Sequence, residues 1–293
     1  MKRPHFGGAF FLIMLLPFLL ILVAITSIQT GAGLAKGLFP LAGVAGTSTF
    51  RLLFASLILW AIWRPWRFKL TIQDLKNLFI FGLSLGFMNL TFYFAIERIP
   101  LGPAVTLEFI GPLGVSLLSS RKKLDFLWVT FAALGIFLVM PQDQARLATD
   151  GLGILFALIA GFFWALYIYF GKRAGTNLHA GLATTMGMSF AFLVVLPFGL
   201  LLDGEKLSDP KLLPMGVVVA IFSSALPYSL EMYSLKRIPA KTFGILMSLE
   251  PVAASLIGLF FLNQELSHLQ WGAILCVIVA SLGTTLTNQS MKT

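Results

Sequence analysis

The stretch Glu97-Arg98-Ile99-Pro100 (ERIP) returns 139 residues later as Lys236-Arg237-Ile238-Pro239 (KRIP). At the same offset, the pair Gly111-Pro112 corresponds to Glu250-Pro251. A shared turn followed by a shared proline at one constant offset indicates that the chain consists of two related halves. We place these halves at residues 1–146 and 147–293, because polar residues interrupt the apolar pattern around that boundary.

The composition is that of a membrane protein. Hydrophobic residues make up 58% of the chain, charged residues make up 11%, and the mean hydropathy is +0.90. A soluble domain of this length has too little interior to bury so much apolar surface. A membrane-spanning helix needs roughly 20 mostly apolar residues. The chain divides into ten such stretches: 11–34, 41–63, 76–96, 102–120, 125–141, 151–171, 181–202, 212–233, 240–262 and 268–288.

Ten predicted spans in two halves give five spans to each half. An odd number makes the second half enter the membrane from the opposite side, so we predict an all-α membrane protein built from two inverted five-helix repeats. Inverted repeats are typical of secondary transporters, whose halves rock around a site near the bilayer midplane. The alternative is that duplication only builds a large structural bundle that transports nothing.

The basic residues predict the orientation. With both termini in the cytoplasm, the inner side receives 15 of the 21 basic residues, the outer side five, and Arg51 lies within the membrane. This bias satisfies the positive-inside rule, and the opposite orientation violates it. The net charge of +9 therefore reflects membrane topology and not a nucleic-acid site. We expect a multi-pass protein of the inner (cell) membrane.

Ionisable side chains inside a span are costly and mark functional sites by default. Arg51, Glu108, Glu231 and Glu250 fall within predicted spans, and Lys36 closes the first. The alternative to a functional role is a structural ion pair between Arg51 and one of the glutamates.

Two of these glutamates lie beside the repeated prolines. A proline within a helix cannot donate to the carbonyl four residues earlier. Pro112 therefore frees the carbonyl of Glu108, and Pro251 frees that of Met247. Such carbonyls are tolerated at membrane depth only where protein or a water-filled cavity meets them. We expect spans 4 and 9 to meet at a central polar cavity that Glu108 and Glu250 line.

Other side chains in the spans are weaker candidates for the same cavity. Gln29 and Asn89 carry amides that need partners in lipid. Trp164 and Tyr228 lie deeper than an interfacial aromatic belt requires, and Pro227 is a third predicted helix break.

Several classes of function are disfavoured. The single cysteine, Cys276, forms no disulfide within the chain, and no metal-ligand pattern or phosphate-binding loop is present. We therefore expect no cofactor, no metal and no enzymatic activity.

The motifs resemble the EamA family of drug/metabolite transporters. The similarity rests on Arg51 early in span 2, the Arg-Ile-Pro turns before spans 4 and 9, Glu250-Pro251, and residues 261–266 (FLNQEL). The bacterial threonine/homoserine exporter branch of this family is especially similar, at residues 24–29 (AITSIQ), 223–232 (SSALPYSLEM) and 247–251 (MSLEP).

This resemblance implies secondary export of small neutral amino acids, threonine and homoserine, by alternating access. Glu108 or Glu250 is expected to bind the substrate's ammonium group, and Arg51 or Lys36 its carboxylate. If a proton is exchanged for the substrate, Glu108, Glu231 and Glu250 are the candidates to carry it. The alternatives are a drug or metabolite carrier of the same fold, including an importer, and a non-transporting membrane protein.

Overall fold

The structure, a computed structural model, describes residues 7–118, 125–139, 144–175, 178–235 and 246–287. All regular secondary structure in these ranges is helical, and they contain no β-strand. The helices are α1 (Gly7–Ala42), α2 (Val44–Trp63), α3 (Ile72–Arg98), α4 (Leu101–Glu108), α5 (Ile110–Leu118), α6 (Asp125–Val139), α7 (Gln144–Gly175), α8 (Ala180–Leu207), α9 (Leu213–Ala220), α10 (Leu226–Leu235), α11 (Glu250–Leu262) and α12 (His268–Thr287). A π-helical turn, Ile221–Ala225, joins α9 to α10.

Among the described residues, six helical segments are long and apolar enough to cross a membrane. They occupy the first, second, third, sixth, seventh and eighth predicted spans. Shorter apolar helices, Leu101–Val115, Phe126–Leu138, Glu250–Leu262 and His268–Gly283, occupy the other four. The all-helical membrane class is confirmed, while ten complete spans stay a prediction. The second copy of the turn motif, residues 236–239, lies outside the described residues.

The predicted boundary between the first two spans is wrong. Span 1 was expected to end at residue 34, but α1 continues to Ala42, and only Gly43 separates it from α2. Gly43 has a φ of 72°, a left-handed conformation that favours glycine. Asp203 of α8 caps α2, since its Oδ2 accepts a 3.0 Å hydrogen bond from the amide of Gly46. A Cβ on Gly43 would collide with that carboxylate, so the turn needs glycine for two reasons.

Helices of the first half pack mainly against helices of the second half. α2 lies against α8, α3 against α7 and α8, α4 against α11 and α7, and α6 against α12. α1 runs between the α9–α10 segment and α11. Large apolar side chains cover much of the outer surface, including Leu201 and Phe126, which suits contact with lipid.

The break between α4 and α5 is held against α7 by two glycines. A Cβ on Gly161 would lie 2.7 Å from the carbonyl oxygen of Glu108, the oxygen that Pro112 leaves without its helical donor. A Cβ on Gly111 would in turn collide with the carbonyl oxygen of Gly161. Only a pair of glycines lets the two backbones approach this closely.

We predict that Gly161→Ala destabilises the protein because the added methyl group has no space beside the Glu108 carbonyl. Overpacking of this kind costs about 1–3 kcal/mol, and thermal unfolding of the purified protein in detergent measures it. Gly151→Ala, in the same helix, is the matched control, since a Cβ at Gly151 meets no atom within 4 Å. Equal midpoints for the two variants would contradict the close approach of the backbones.

Candidate functional site

The π-helical turn in the eighth span lies just before Pro227. Pro227 has no N–H, so the carbonyl of Ser223, four residues earlier, loses its helical donor. Single π-helical turns inside α-helices occur frequently at functional sites. Two side chains from the first half satisfy the exposed carbonyls of this turn. The Oγ of Ser27 donates to the carbonyl of Phe222 at 2.7 Å, and Nη2 of Arg51 donates to that of Ser223 at 2.9 Å.

Arg51 is buried and rigidly placed. Besides the bond to Ser223, its Nε donates to Oγ of Ser224 at 2.9 Å. Its Cζ lies 5.2 Å from the ring centroid of Tyr93, a fully buried side chain, which is a cation–π distance. A guanidinium carries more N–H donors than these two bonds use. Arg51 therefore keeps donors for a further partner, such as a carboxylate.

The ion-pair alternative for Arg51 is not realised among the described residues. No glutamate oxygen there lies within ion-pair distance of Arg51, and the one pair formed joins Lys206 to Asp203 at 3.7 Å near the end of α8. Arg51 instead donates to the Ser224 hydroxyl and the Ser223 carbonyl of the π-helical turn.

Three acidic side chains are connected to Arg51, directly or through Tyr228. Glu108 is 7% exposed and Glu250 is 5% exposed, while Glu231 is half-buried. Electrostatic interactions connect Glu108 to Arg51, and connect Glu250 to both Glu108 and Glu231. The half-buried Tyr228 interacts with all four of these groups. The structure thus brings together one cation, three carboxyl groups and a phenol in the interior of the described bundle.

The helices are interrupted beside both glutamates. Helix α4 ends at Glu108, and α5 begins at Ile110 after a one-residue interruption. In the second half, a turn at 248–249 precedes α11, which begins at Glu250 with Pro251 in its first turn. The third predicted break, at Pro227, takes the form of the π-helical turn. Helices α4 and α11 also contact each other, as expected of spans 4 and 9.

The remaining candidates divide into two groups. Lys36 lies apart from the cluster, because its Nζ donates to the carbonyl of Ile99 at 3.4 Å, in the turn before α4. Asn89 bonds within its own helix, from Nδ2 to the carbonyl of Leu85 at 2.8 Å. Trp164 packs edge-on against Phe109, at the break beside Glu108. Gln29 is buried, and its Oε1 has no hydrogen-bond partner among the described residues.

Several contributing residues were not singled out from the sequence. A proline leaves the carbonyl four residues earlier without its helical donor. This rule, which we applied to Pro112 and Pro251, also links Pro227 to Ser223 and would have found the carbonyl to which Arg51 donates. Gln264 was missed for a different reason. Its Oε1 accepts from the amide of Leu101 at 3.0 Å and so caps α4 from the loop after α11. No local pattern indicates a contact between such distant residues.

Comparisons with known proteins identify the family. The model of the EamA-like transporter family matches residues 151–286. Proteins named threonine/homoserine exporter RhtA, from Escherichia coli K12 and Salmonella typhimurium LT2, are each 46% identical over 93% of this chain and 92% of their own length. The chain belongs to the EamA-like transporter family.

Two further similarities are more distant. A Bacillus subtilis protein named uncharacterized transporter YwfM is 23% identical, over 83% of this chain and 85% of its own. One crystal structure superposes with a TM-score of 0.60 over 93% of this chain and 98% of its own, at 15% identity, and so supports the fold alone. Family membership and the apolar helices make this a multi-pass protein of the inner membrane.

The Arg51–Ser223 bond predicts a coupling between Arg51 and Pro227. Arg51→Met leaves the Ser223 carbonyl without a donor, which costs about 1–3 kcal/mol. In a Pro227→Ala background the new N–H at position 227 supplies a donor, so the same substitution costs less. Thermal unfolding of the two single variants and the double variant measures the coupling, which we expect to be about 1 kcal/mol.

Pro197→Ala is the matched control for that cycle. Pro197 lies inside α8 with an exposed side chain, and no interaction with Arg51 is recorded for it. Combined with Arg51→Met, its effect should be additive within about 0.5 kcal/mol. Additive effects of Arg51→Met and Pro227→Ala would show that the carbonyl freed by Pro227 is not what holds Arg51.

Proposed function

We propose that the protein exports small neutral amino acids, threonine and homoserine, across the cytoplasmic membrane. The observation that carries this proposal is the 46% identity, over 93% of the chain, to proteins named threonine/homoserine exporter. The charge pattern of the cluster agrees with it. A zwitterion needs donors for its carboxylate and acceptors for its ammonium, and Arg51 and the glutamates supply both kinds of group.

Arg51 is our candidate for binding the substrate's carboxylate. Its Nε and Nη2 are held by Ser224 and Ser223, which places the rest of the guanidinium without further loss of side-chain freedom. A planar guanidinium also matches a carboxylate better than the point charge of a lysine does. Lys36 is a poor second choice because it bonds to the Ile99 carbonyl outside the cluster.

The acidic groups are our candidates for the ammonium and for a coupled proton. No hydrogen bond or ion pair is formed by Glu108, Glu231 or Glu250 among the described residues. Each carboxyl group is thus free to accept from a substrate ammonium or to carry a proton. Tyr228, which interacts electrostatically with all three, offers a phenol for the substrate's hydroxyl group.

Alternating access between two inverted five-helix repeats is the proposed mechanism. The helix contacts support the symmetry that it needs. Exchange of the repeats converts span 1 into span 6 and span 3 into span 8. The contact of α1 with α9–α10 is then the counterpart of the contact between α3 and α7. Spans 2 and 7, 4 and 9, and 5 and 10 contact their own counterparts, as α2–α8, α4–α11 and α6–α12.

The breaks in the fourth and ninth spans are the proposed hinges. Each lies beside a glutamate, at Phe109 and at 248–249, and each is followed by a proline that cannot donate its helical hydrogen bond. Rotation there moves one half of each span without unfolding the other half. With both termini in the cytoplasm, as the loop charges predict, the fourth and ninth spans enter the membrane from opposite sides. The two hinges therefore have opposite orientations in the membrane.

Counterflow in proteoliposomes tests the substrate. Vesicles containing the purified protein and unlabelled threonine should accumulate external labelled threonine and homoserine, whereas vesicles without internal amino acid should not. Exchange of another metabolite with no exchange of threonine would favour a different carrier of the same fold. Absence of exchange for every solute, with a folded protein, would favour a non-transporting membrane protein.

We predict that Glu108→Gln and Glu250→Gln each lower threonine exchange at least tenfold, which is about 1.4 kcal/mol, because a neutral amide is a weaker acceptor for an ammonium group. The same vesicles with an imposed pH gradient test coupling, since a glutamate that carries the proton should lose gradient-driven export when it is replaced. Glu205→Gln is the control, because Glu205 is exposed at the end of α8. Normal transport by both cluster variants would remove these glutamates from the site.

A further inference from the structure

One buried amide has no bonding partner in the described part of the chain. Gln29 is 4% exposed, and its Oε1 has neither a hydrogen-bond partner nor contact with solvent. Buried polar side chains are nearly always hydrogen-bonded, and an orphaned one requires an explanation. The buried amide of Asn89 instead donates to the carbonyl of Leu85 within its own helix, which removes Asn89 from the candidates for the site. Gln29 therefore calls for a ligand more clearly than any other amide in α1 or α3.

The packing of α1 shows what Gln29 faces. Ile25, Gln29 and Gly33 are spaced by four residues and so lie on one face of the helix. Ile25, together with Ile21, forms a cluster that packs against Met247 and Ala253. A Cβ on Gly33 would lie 3.3 Å from Cγ2 of Ile257. Gln29 lies between these two contacts and so faces α11.

The facing side of α11 carries Glu250. Ala253 and Ile257 contact α1, and Glu250 precedes them by three and seven residues, which places all three on one stripe of the helix. Glu250 is buried, and it forms no hydrogen bond or ion pair among the described residues. An amide oxygen and a carboxyl group, both unpartnered, thus lie on facing stripes of two packed helices.

We infer that Gln29 and Glu250 form the subsite for the substrate's ammonium group. An ammonium has three donors and no acceptor, and an amide oxygen and a carboxylate are matching partners. The turn before α11 also contains the Met247 carbonyl, to which Pro251 cannot donate. Arg51, which donates to Ser223 and Ser224 of the eighth span, is our candidate for the carboxylate at the other end of the zwitterion.

This subsite rests on the proposed amino-acid export and adds a specificity-determining residue to it. A site discriminates strongly against an analogue without the ammonium when binding that analogue leaves the site's own polar groups unpaired. Oε1 of Gln29 is a polar group of this kind, because it has no hydrogen-bond partner of its own among the described residues. Loss of Gln29 should therefore harm substrate recognition more than it harms the fold.

The test uses Gln29→Met, which keeps the length of the side chain and removes its polar atoms. We expect an unchanged or higher thermal midpoint for the purified, ligand-free protein, together with a roughly tenfold to hundredfold weaker affinity for threonine, read from the concentration of threonine needed to raise that midpoint. In counterflow, two analogues distinguish the groups: 2,3-dihydroxybutyrate lacks the ammonium, and 2-aminobutyrate lacks the side-chain hydroxyl. The preference for threonine should fall about tenfold against the first and stay unchanged against the second.

Asn89→Leu is the matched control, because it removes a buried amide that bonds only within its own helix. It should leave the preference for threonine over 2,3-dihydroxybutyrate unchanged. A Gln29→Met protein with a lower ligand-free midpoint and normal preferences would make Gln29 structural and overturn the subsite. A loss of preference confined to 2-aminobutyrate would assign Gln29 to the hydroxyl instead. Failure of the wild-type protein to exchange threonine would overturn the proposed function as well.

Discussion

The structure depends on one constraint, which is that a backbone carbonyl buried in a membrane protein must find a donor. Pro227 removes the donor of Ser223, and Arg51 replaces it at 2.9 Å. The hydroxyl of Ser27 donates to the neighbouring carbonyl, that of Phe222. These two bonds join the first and second spans to the eighth. The cation of the candidate site is therefore held in place by the defect that the proline creates in the helix.

The same constraint explains why the acidic groups lie where they do. One break follows the end of α4, close to Pro112, and another precedes α11, close to Pro251. Each break adjoins a buried glutamate. At the first break, the freed carbonyl of Glu108 lies against the backbone of Gly161. Polar groups that the helices cannot satisfy are thus gathered in one region. A zwitterionic substrate can use donors and acceptors of this kind, because they are not committed to the fold.

Some of these features were accessible from the sequence and others were not. The helical class, the three breaks and the acidic candidates Glu108 and Glu250 follow from hydrophobic runs and from the spacing between prolines and carbonyls. The end of span 1 was misplaced because the turn at Gly43 has no flanking polar residues to mark it. Among the described residues Arg51 bonds to serine groups of another helix and forms no ion pair with a glutamate, and its charge alone does not reveal those partners.

The sequence by itself determined which apolar segments form helices, which prolines interrupt them, and which ionisable groups lie in the membrane. Each of these depends on residues no more than a few positions apart. The tertiary structure alone decided which side chains meet the exposed groups. Ser27 bonds to a residue 195 positions away, and Arg51 bonds to one 172 positions away. No local pattern specifies such partners, because hydrogen bonds across the bundle depend on how the whole chain brings its helices together.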